Sequence, residues 1–137
     1  MGKNDNRRQK ILIIEDEIPM LETVATRLVY EGFYVLKAKN EERGSDIAFN
    51  EHPDLILLDA TPQKIDSITI FEKLQKDDWG KKVDVIILSK TDYNVVANDI
   101  SRISNDYIMK SDCKLKDIIK KIKTKLKKRQ LLNSVIA

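Results

Sequence analysis

Three short apolar runs constrain the fold of this chain more than any other feature of its sequence. They cover residues 11–14, 55–58 and 83–88, and each ends at a polar or acidic residue. Apolar runs of this length with little polar alternation are typical of strands that are buried on both faces. Strands of this kind form parallel sheets with helices on both sides. The runs therefore predict an α/β fold.

Two weaker strands are predicted at residues 33–38 and 107–109, and helical spacing fills the segments between strands. The first helix is the best marked, because Pro19 suits its first turn and Gly32 its C-terminal stop. Gly44 weakens the second helix, predicted at 40–50, and Ser67 is a candidate N-cap for the third, at 67–76. Further helices are expected at 92–103 and from residue 112. Strand and helix alternate five times.

The length of 137 residues favours one domain. We expect a disordered basic arm at residues 1–9, the folded domain at 10–126, and an extension of the last helix or a tail at 127–137. No apolar run approaches the roughly 20 residues of a membrane helix, and Glu15, Asp16 and Glu17 cut off any secretory signal. Cys113 is the only cysteine, so an internal disulfide is impossible and a reducing, cytoplasmic location is expected.

The net charge of +3 conceals an uneven distribution. Residues 114–129 hold nine Lys or Arg and one Asp, a net +8, and residues 3–10 hold a net +3, which leaves −8 for the rest. Lysine-rich helices are most often solvated faces of ordinary helices. No aromatic residue interleaves these lysines, so we do not expect sequence-specific nucleic-acid binding from this segment.

The residues that follow the strands carry the candidate chemistry. Glu15 and Asp16 follow the first strand, Asp59 ends the third, Ser89 the fourth, and Lys110 follows the fifth. In an open parallel sheet these carboxyl ends meet at one edge, where ligands bind. Clustered carboxylates favour a hard divalent cation such as Mg²⁺. An Asp carboxylate can also act as a nucleophile toward a phosphoryl group.

Four sequence motifs, taken together and in this order, are specific for one protein family. Residues 10–17 (KILIIEDE), 53–59 (PDLILLD), 85–89 (VIILS) and 106–110 (DYIMK) resemble the receiver domain of two-component response regulators. The resemblance covers about residues 9–126. It implies a flavodoxin-like doubly wound fold, with a five-stranded parallel sheet in the order 2-1-3-4-5 and five helices.

The resemblance also implies roles for individual residues. Asp59 corresponds to the phosphoacceptor, and Lys110 to its charge partner. Ser89 and Tyr107 correspond to the switch residues. The implied Mg²⁺ ligands are Glu15, Asp16, Asp59 and the main-chain carbonyl of Thr61.

The implied partners are a histidine kinase or phosphotransfer protein and a downstream protein or output domain. We expect the switching face to consist of the fourth predicted helix, the fifth strand and the fifth helix, which is also where a homodimer would form. We expect no membrane partner. In this role the chain is not an enzyme.

Four positions depart from the family pattern. Pro62 lies three residues after Asp59 instead of four, Ser67 replaces a glycine, Ser111 replaces a proline, and Lys90 replaces a small residue at the rim of the site. They keep open an alternative in which the domain is an interaction module that takes phosphate poorly or not at all. A metal-dependent phosphatase is less favoured, because position 61 is Thr where a second Asp would be needed.

Three further residues have simpler interpretations. We expect Glu17 to cap the first helix, where negative charge is favoured. His52 has no Cys or His neighbour that would make it a metal ligand. Trp79, beside Gly80, is expected to pack against a turn.

Overall fold

The structure, a computed structural model, describes residues 8–59, 65–89, 107–109 and 114–136. Its strands are β1 (Lys10–Ile14), β2 (Tyr34–Ala38), β3 (Leu55–Asp59), β4 (Asp84–Ser89) and β5 (Tyr107–Met109). Its helices are α1 (Ile18–Tyr30), α2 (Glu41–Glu51), α3 (Ile65–Gln75) and α4 (Leu115–Ile136). The helix predicted at 92–103 lies outside the described residues.

The five strands form one parallel sheet in the order β2-β1-β3-β4-β5. This confirms the predicted fold class and strand order. Alternate residues of each central strand point to opposite faces. Ile11 and Ile13 join the core beneath α1 and α4, whereas Leu12 and Ile14 join the core beneath α2 and α3. The central strands are therefore buried on both sides, which explains why their sequences are continuous apolar runs.

Helix α1 has the boundaries that its sequence signals predict. Pro19 lies in the first turn, and Leu21, Val24 and Leu28 are buried on one face. Gly32 follows the helix with a φ of +99°, a conformation that favours glycine, and the chain then turns into β2. The main-chain N–H of Phe33 donates to the Leu28 carbonyl across this turn.

Gly44 lies within α2, at a position where the helix packs closely against β1. A Cβ on Gly44 would lie 2.6 Å from Cγ1 of Ile14, so a larger residue at this position would require the Ile14 side chain to move. Asn40 caps the helix through a bond that its side chain accepts from the Arg43 main-chain N–H at 2.8 Å.

Two local expectations have clear outcomes. Helix α3 begins at Ile65, so Ser67 lies inside the helix and the prediction that it is the N-cap was wrong. Trp79 does pack at a turn: its ring stacks on His52, with centroids 4.4 Å apart, and meets Phe49 edge to face. His52 itself ends α2 in the left-handed conformation, with a φ of 49°.

Lys123 and Arg129 help to hold α4 on the domain. Lys123 donates to the Glu31 carboxylate, which also accepts from Arg27 at 2.9 Å. These hydrogen bonds, Lys123 first, lower the pKa of Glu31 below its usual value, so the contact between α1 and α4 is charged at neutral pH. Arg129 Nη1 donates to the main-chain carbonyl of Asp54 at 2.9 Å. It also donates to that of Lys82 at 3.3 Å, so Arg129 ties α4 to the loops before β3 and β4.

Replacing Arg129 by Ala should therefore destabilise the domain by about 1–2 kcal/mol, since two carbonyls lose a charged donor in a half-buried position. Urea unfolding followed by circular dichroism measures the loss. Lys127→Ala removes the same charge from an exposed position of the same helix and should leave stability within about 0.5 kcal/mol of wild type. Equal effects of the two substitutions would show that Arg129 contributes nothing specific.

No helix among residues 8–59, 65–89, 107–109 and 114–136 is both long and apolar enough to cross a bilayer.

Candidate functional site

Three neighbouring strands end in polar residues at the same edge of the sheet. Ile14 pairs with Leu58, so Glu15, directly after β1, lies beside Asp59, the last residue of β3. Asp59 pairs with Leu88, which places Ser89 one residue further along β4. All three are buried: Glu15 is 1%, Asp59 5% and Ser89 0% exposed. Burial of two carboxylates and a hydroxyl costs free energy unless hydrogen bonds or a compensating positive charge offset it.

Glu15 connects the sheet edge to the first helix. Its main-chain N–H donates to the Ala38 carbonyl at 3.0 Å, which continues the ladder between β1 and β2. Its Oε2 accepts from the Glu17 main-chain N–H at 3.1 Å, directly before α1. The Glu15 carboxylate is thus held against the positive end of a helix.

Glu17 lies at the start of α1 as expected, but its side chain does not form the capping bond. Glu17 occupies the N-cap position of α1 with extended backbone, but its side chain makes no capping hydrogen bond. The Glu15 side chain bonds to the Glu17 N–H instead. The sequence could not distinguish the two because both acids stand next to the same helix start.

The acids after β1 form a cluster that suits a metal ion. One ligand oxygen from each of Glu15, Asp16 and Glu17 lies within 4.8 Å of the others. Glu15 is buried, Asp16 exposed and Glu17 half-buried, so the cluster extends from the sheet edge to solvent. An all-oxygen donor set that opens to water fits Mg²⁺, which keeps part of its water shell. Glu17 was not among the predicted ligands, although its place beside two acids was a visible signal.

The remaining predicted residues are placed only in part. Tyr107 opens β5 and pairs with Ile87, while Met109 pairs with Ser89 at the site edge. Lys110 follows Met109 in sequence and lies outside the described residues, as do Thr61 and Lys90. The structure therefore brings together Glu15, Asp59 and Ser89, with Asp16 beside them.

Comparison with known proteins agrees with this arrangement. Residues 11–123 match the family model of the response regulator receiver domain. Because this match covers most of the chain, the protein belongs to the response regulator receiver domain family.

Similar proteins include the probable transcriptional regulator ycf27 of Porphyra purpurea. It is 30% identical over 109 residues, which cover 77% of this chain and 43% of that protein. The phosphate regulon transcriptional regulatory protein PhoB of Pseudomonas aeruginosa is 29% identical over 103 residues, covering 73% of this chain and 44% of that protein. The chain thus spans less than half the length of these curated relatives.

A solved structure with the same fold is that of a CheY-like response regulator receiver domain protein from Methanospirillum hungatei JF-1. It superposes with a TM-score of 0.78 at 24% identity, over 90% of this chain and 98% of that one. At 24% identity, this similarity is evidence of a shared fold alone.

Proposed function

We propose that Asp59 accepts a phosphoryl group in a reaction that depends on Mg²⁺, and that the chain thereby switches a signalling pathway. The observation that carries this proposal is the burial of Glu15, Asp59 and Ser89 side by side at one edge of the sheet. Membership of the receiver family supports it, because phosphoacceptance is the usual function of that family.

The chemistry is nucleophilic displacement at phosphorus. An Asp59 carboxylate oxygen forms a bond to phosphorus while the bond between phosphorus and the donor breaks, and the product is an acyl phosphate. With a phosphohistidine donor the leaving group is an imidazole nitrogen, which keeps the electron pair of the broken bond and is protonated from water. The chain is then the acceptor in the reaction and not an enzyme with a separate substrate.

The acids after β1 would hold the metal. Glu15 and Asp16, with Asp59 and the carbonyl of Thr61, are the proposed ligands, and Glu17 is close enough to add an oxygen through water. When bound, Mg²⁺ supplies positive charge that offsets repulsion between the carboxylates and the incoming phosphoryl group. Ser89 is proposed to donate its hydroxyl to a phosphoryl oxygen and Lys110 to pair with another.

The proposed partners follow from this role. A histidine kinase or phosphotransfer protein supplies the phosphoryl group, and Ser89 and Tyr107 transmit its arrival toward β5 and α4. A downstream protein, an output domain or a second copy then binds the face that includes these elements. The names of the relatives as transcriptional regulators support an output in gene regulation.

Incubation of the chain with acetyl phosphate tests the proposal. With Mg²⁺ present, intact-mass spectrometry should show one added phosphoryl group, removable by hydroxylamine, as expected for an acyl phosphate. Excess EDTA should reduce the labelling rate at least about tenfold, because the carboxylates would then repel the donor. Absence of any adduct under conditions that label a known receiver would contradict the proposal.

The departures at Pro62, Ser67, Lys90 and Ser111 favour a second candidate function, an interaction module that is not phosphorylated. Lys90 would hinder phosphorylation in this second candidate, because a long ammonium side chain at the rim of the site would occupy space that a phosphodonor needs. If Lys90→Ala restores labelling that the wild-type chain lacks, the second candidate describes the natural protein.

A further inference from the structure

Three lysines of α4 form one row along the surface of the helix. Lys116, Lys120 and Lys127 are all exposed. At about 100° of rotation per residue they lie within an arc of about 40°, and the row is about 16 Å long. They take no part in the contacts that hold α4 on the domain, which come from Lys123 and Arg129. The row is therefore available to a partner.

Helix α1 borders this row. Lys123 of α4 donates to Glu31 at the end of α1, and Leu115 at the start of α4 lines an open groove with residues of α1. The α1 residues of that groove include two threonines and a tyrosine. The exposed residues on this side of the two helices, which we call the lysine–hydroxyl face, are Lys116, Lys120, Lys127, Thr23, Thr26 and Tyr30.

The carboxylates of α1 next to this face are already paired. Glu22 accepts from Lys37 at 2.8 Å. Glu31 accepts from Arg27 at 2.9 Å and from a lysine of α4. Residues 114–129 of α4 contain nine Lys or Arg and one Asp. The face therefore carries net positive charge, which is complementary to a polyanion.

We propose that the lysine–hydroxyl face binds the phosphate backbone of a nucleic acid without reading its sequence. Ammonium groups and the hydroxyls of Thr and Tyr are usual side-chain donors to phosphate oxygens. A row of about 16 Å spans about five phosphates of one DNA strand, at about 3.4 Å per phosphate along the axis. Binding through three lysines is weak and depends on salt. This role is separate from phosphorylation of Asp59.

Two other kinds of partner fit the face less well. Protein interfaces are depleted of lysine and have an apolar core, whereas this face offers three lysines and only the ring of Tyr30. A lipid surface binds a helix through apolar side chains that enter it. The apolar residues over the same length of α4 are instead buried against the domain: Ile118, Ile119, Ile122 and Leu126.

Fluorescence anisotropy with two DNA duplexes of unrelated sequence tests the proposal. The intact chain should bind both in low salt with the same Kd within about twofold. A plot of log K against log salt concentration should have a slope of about −3, as three phosphate contacts predict. Lys116→Gln, Lys120→Gln and Lys127→Gln combined should weaken binding at least about tenfold and flatten this slope by about two.

The matched control is Lys73→Gln with Lys76→Gln and Lys81→Gln, which removes three exposed lysines of α3 and the turn after it. This control changes the net charge equally and should leave the Kd within about twofold of wild type. Thr23→Ala with Thr26→Ala should weaken binding about threefold and leave the salt slope unchanged, because a hydroxyl displaces no counterion.

Equal losses in the two triple variants would show that net charge attracts DNA, and would overturn the proposal. An unchanged affinity in the threonine variant would also overturn it, as would a preference of more than about tenfold between the two sequences. No DNA binding in low salt, or tighter binding to polyglutamate or to phosphatidylserine vesicles, would do the same. All substituted residues are exposed, so the variants should fold.

The Asp59→Asn variant should bind DNA as wild type does. Failure of DNA binding is therefore distinguishable from failure of phosphorylation.

Discussion

Asp59→Asn should abolish phosphorylation of the chain while the domain stays folded. The amide has nearly the shape of the carboxylate but lacks its nucleophilic oxygen, so labelling by acetyl phosphate should fall at least about a hundredfold. Asp59 ends β3 beside the buried Glu15, and loss of one of two neighbouring negative charges relieves repulsion. We therefore expect the variant to be at least as stable as wild type.

Asp46→Asn is the matched control, since Asp46 is exposed on α2. It should take label at the wild-type rate, and thermal unfolding should show both variants folded. Label on Asp59→Asn at the control's rate would mean that another carboxylate is the acceptor, and peptide mapping would then identify it. Labelling of neither the wild type nor the control would favour the interaction module.

Gly80→Ala should strongly destabilise the domain. A Cβ on Gly80 would lie 2.7 Å from the Leu74 Cα and closer still to the Leu74 carbonyl oxygen. Both atoms belong to the main chain of α3, so no side-chain rotation relieves the clash. The Gly80 N–H also donates to the Asp77 carboxylate at 2.8 Å, which fixes the turn between α3 and β4. We expect a loss of about 3 kcal/mol in the free energy of unfolding.

Asp78→Ala tests the same turn without the clash, because Asp78 is exposed. Its unfolding free energy in urea should stay within about 0.5 kcal/mol of wild type. If Gly80→Ala changes stability no more than this control, the turn adjusts and the contact with Leu74 is not limiting.

Gly44 shows where local helix propensities were insufficient to interpret the sequence. In the sequence, Gly44 lowers the predicted helix propensity of α2. In the structure, the absence of a side chain at Gly44 leaves room for the side chain of Ile14. The reason is a contact between residues 30 positions apart, which helix propensity does not contain. The start of α3 was misplaced for a related reason: Ser67 is a good cap by type, but the helix already begins at Ile65.

The sequence by itself determined the fold class and the edge of the sheet at which Glu15, Asp59 and Ser89 lie. Buried parallel strands need apolar side chains on both faces, so they are visible in the sequence as runs of consecutive apolar residues. The family resemblance then supplied the order of the strands, which alternation alone does not specify.

Only the tertiary structure decided what each charged group does. Lys123 and Arg129 look like the other lysines and arginines of their segment, yet they bind Glu31 and the loops before β3 and β4. Glu15 rather than Glu17 bonds to the main chain at the start of α1. Long polar side chains reach partners distant in sequence, and the choice among those partners depends on which surfaces packing brings together. Apolar patterning therefore predicts the scaffold, while the pairing of charges is settled only when the helices dock.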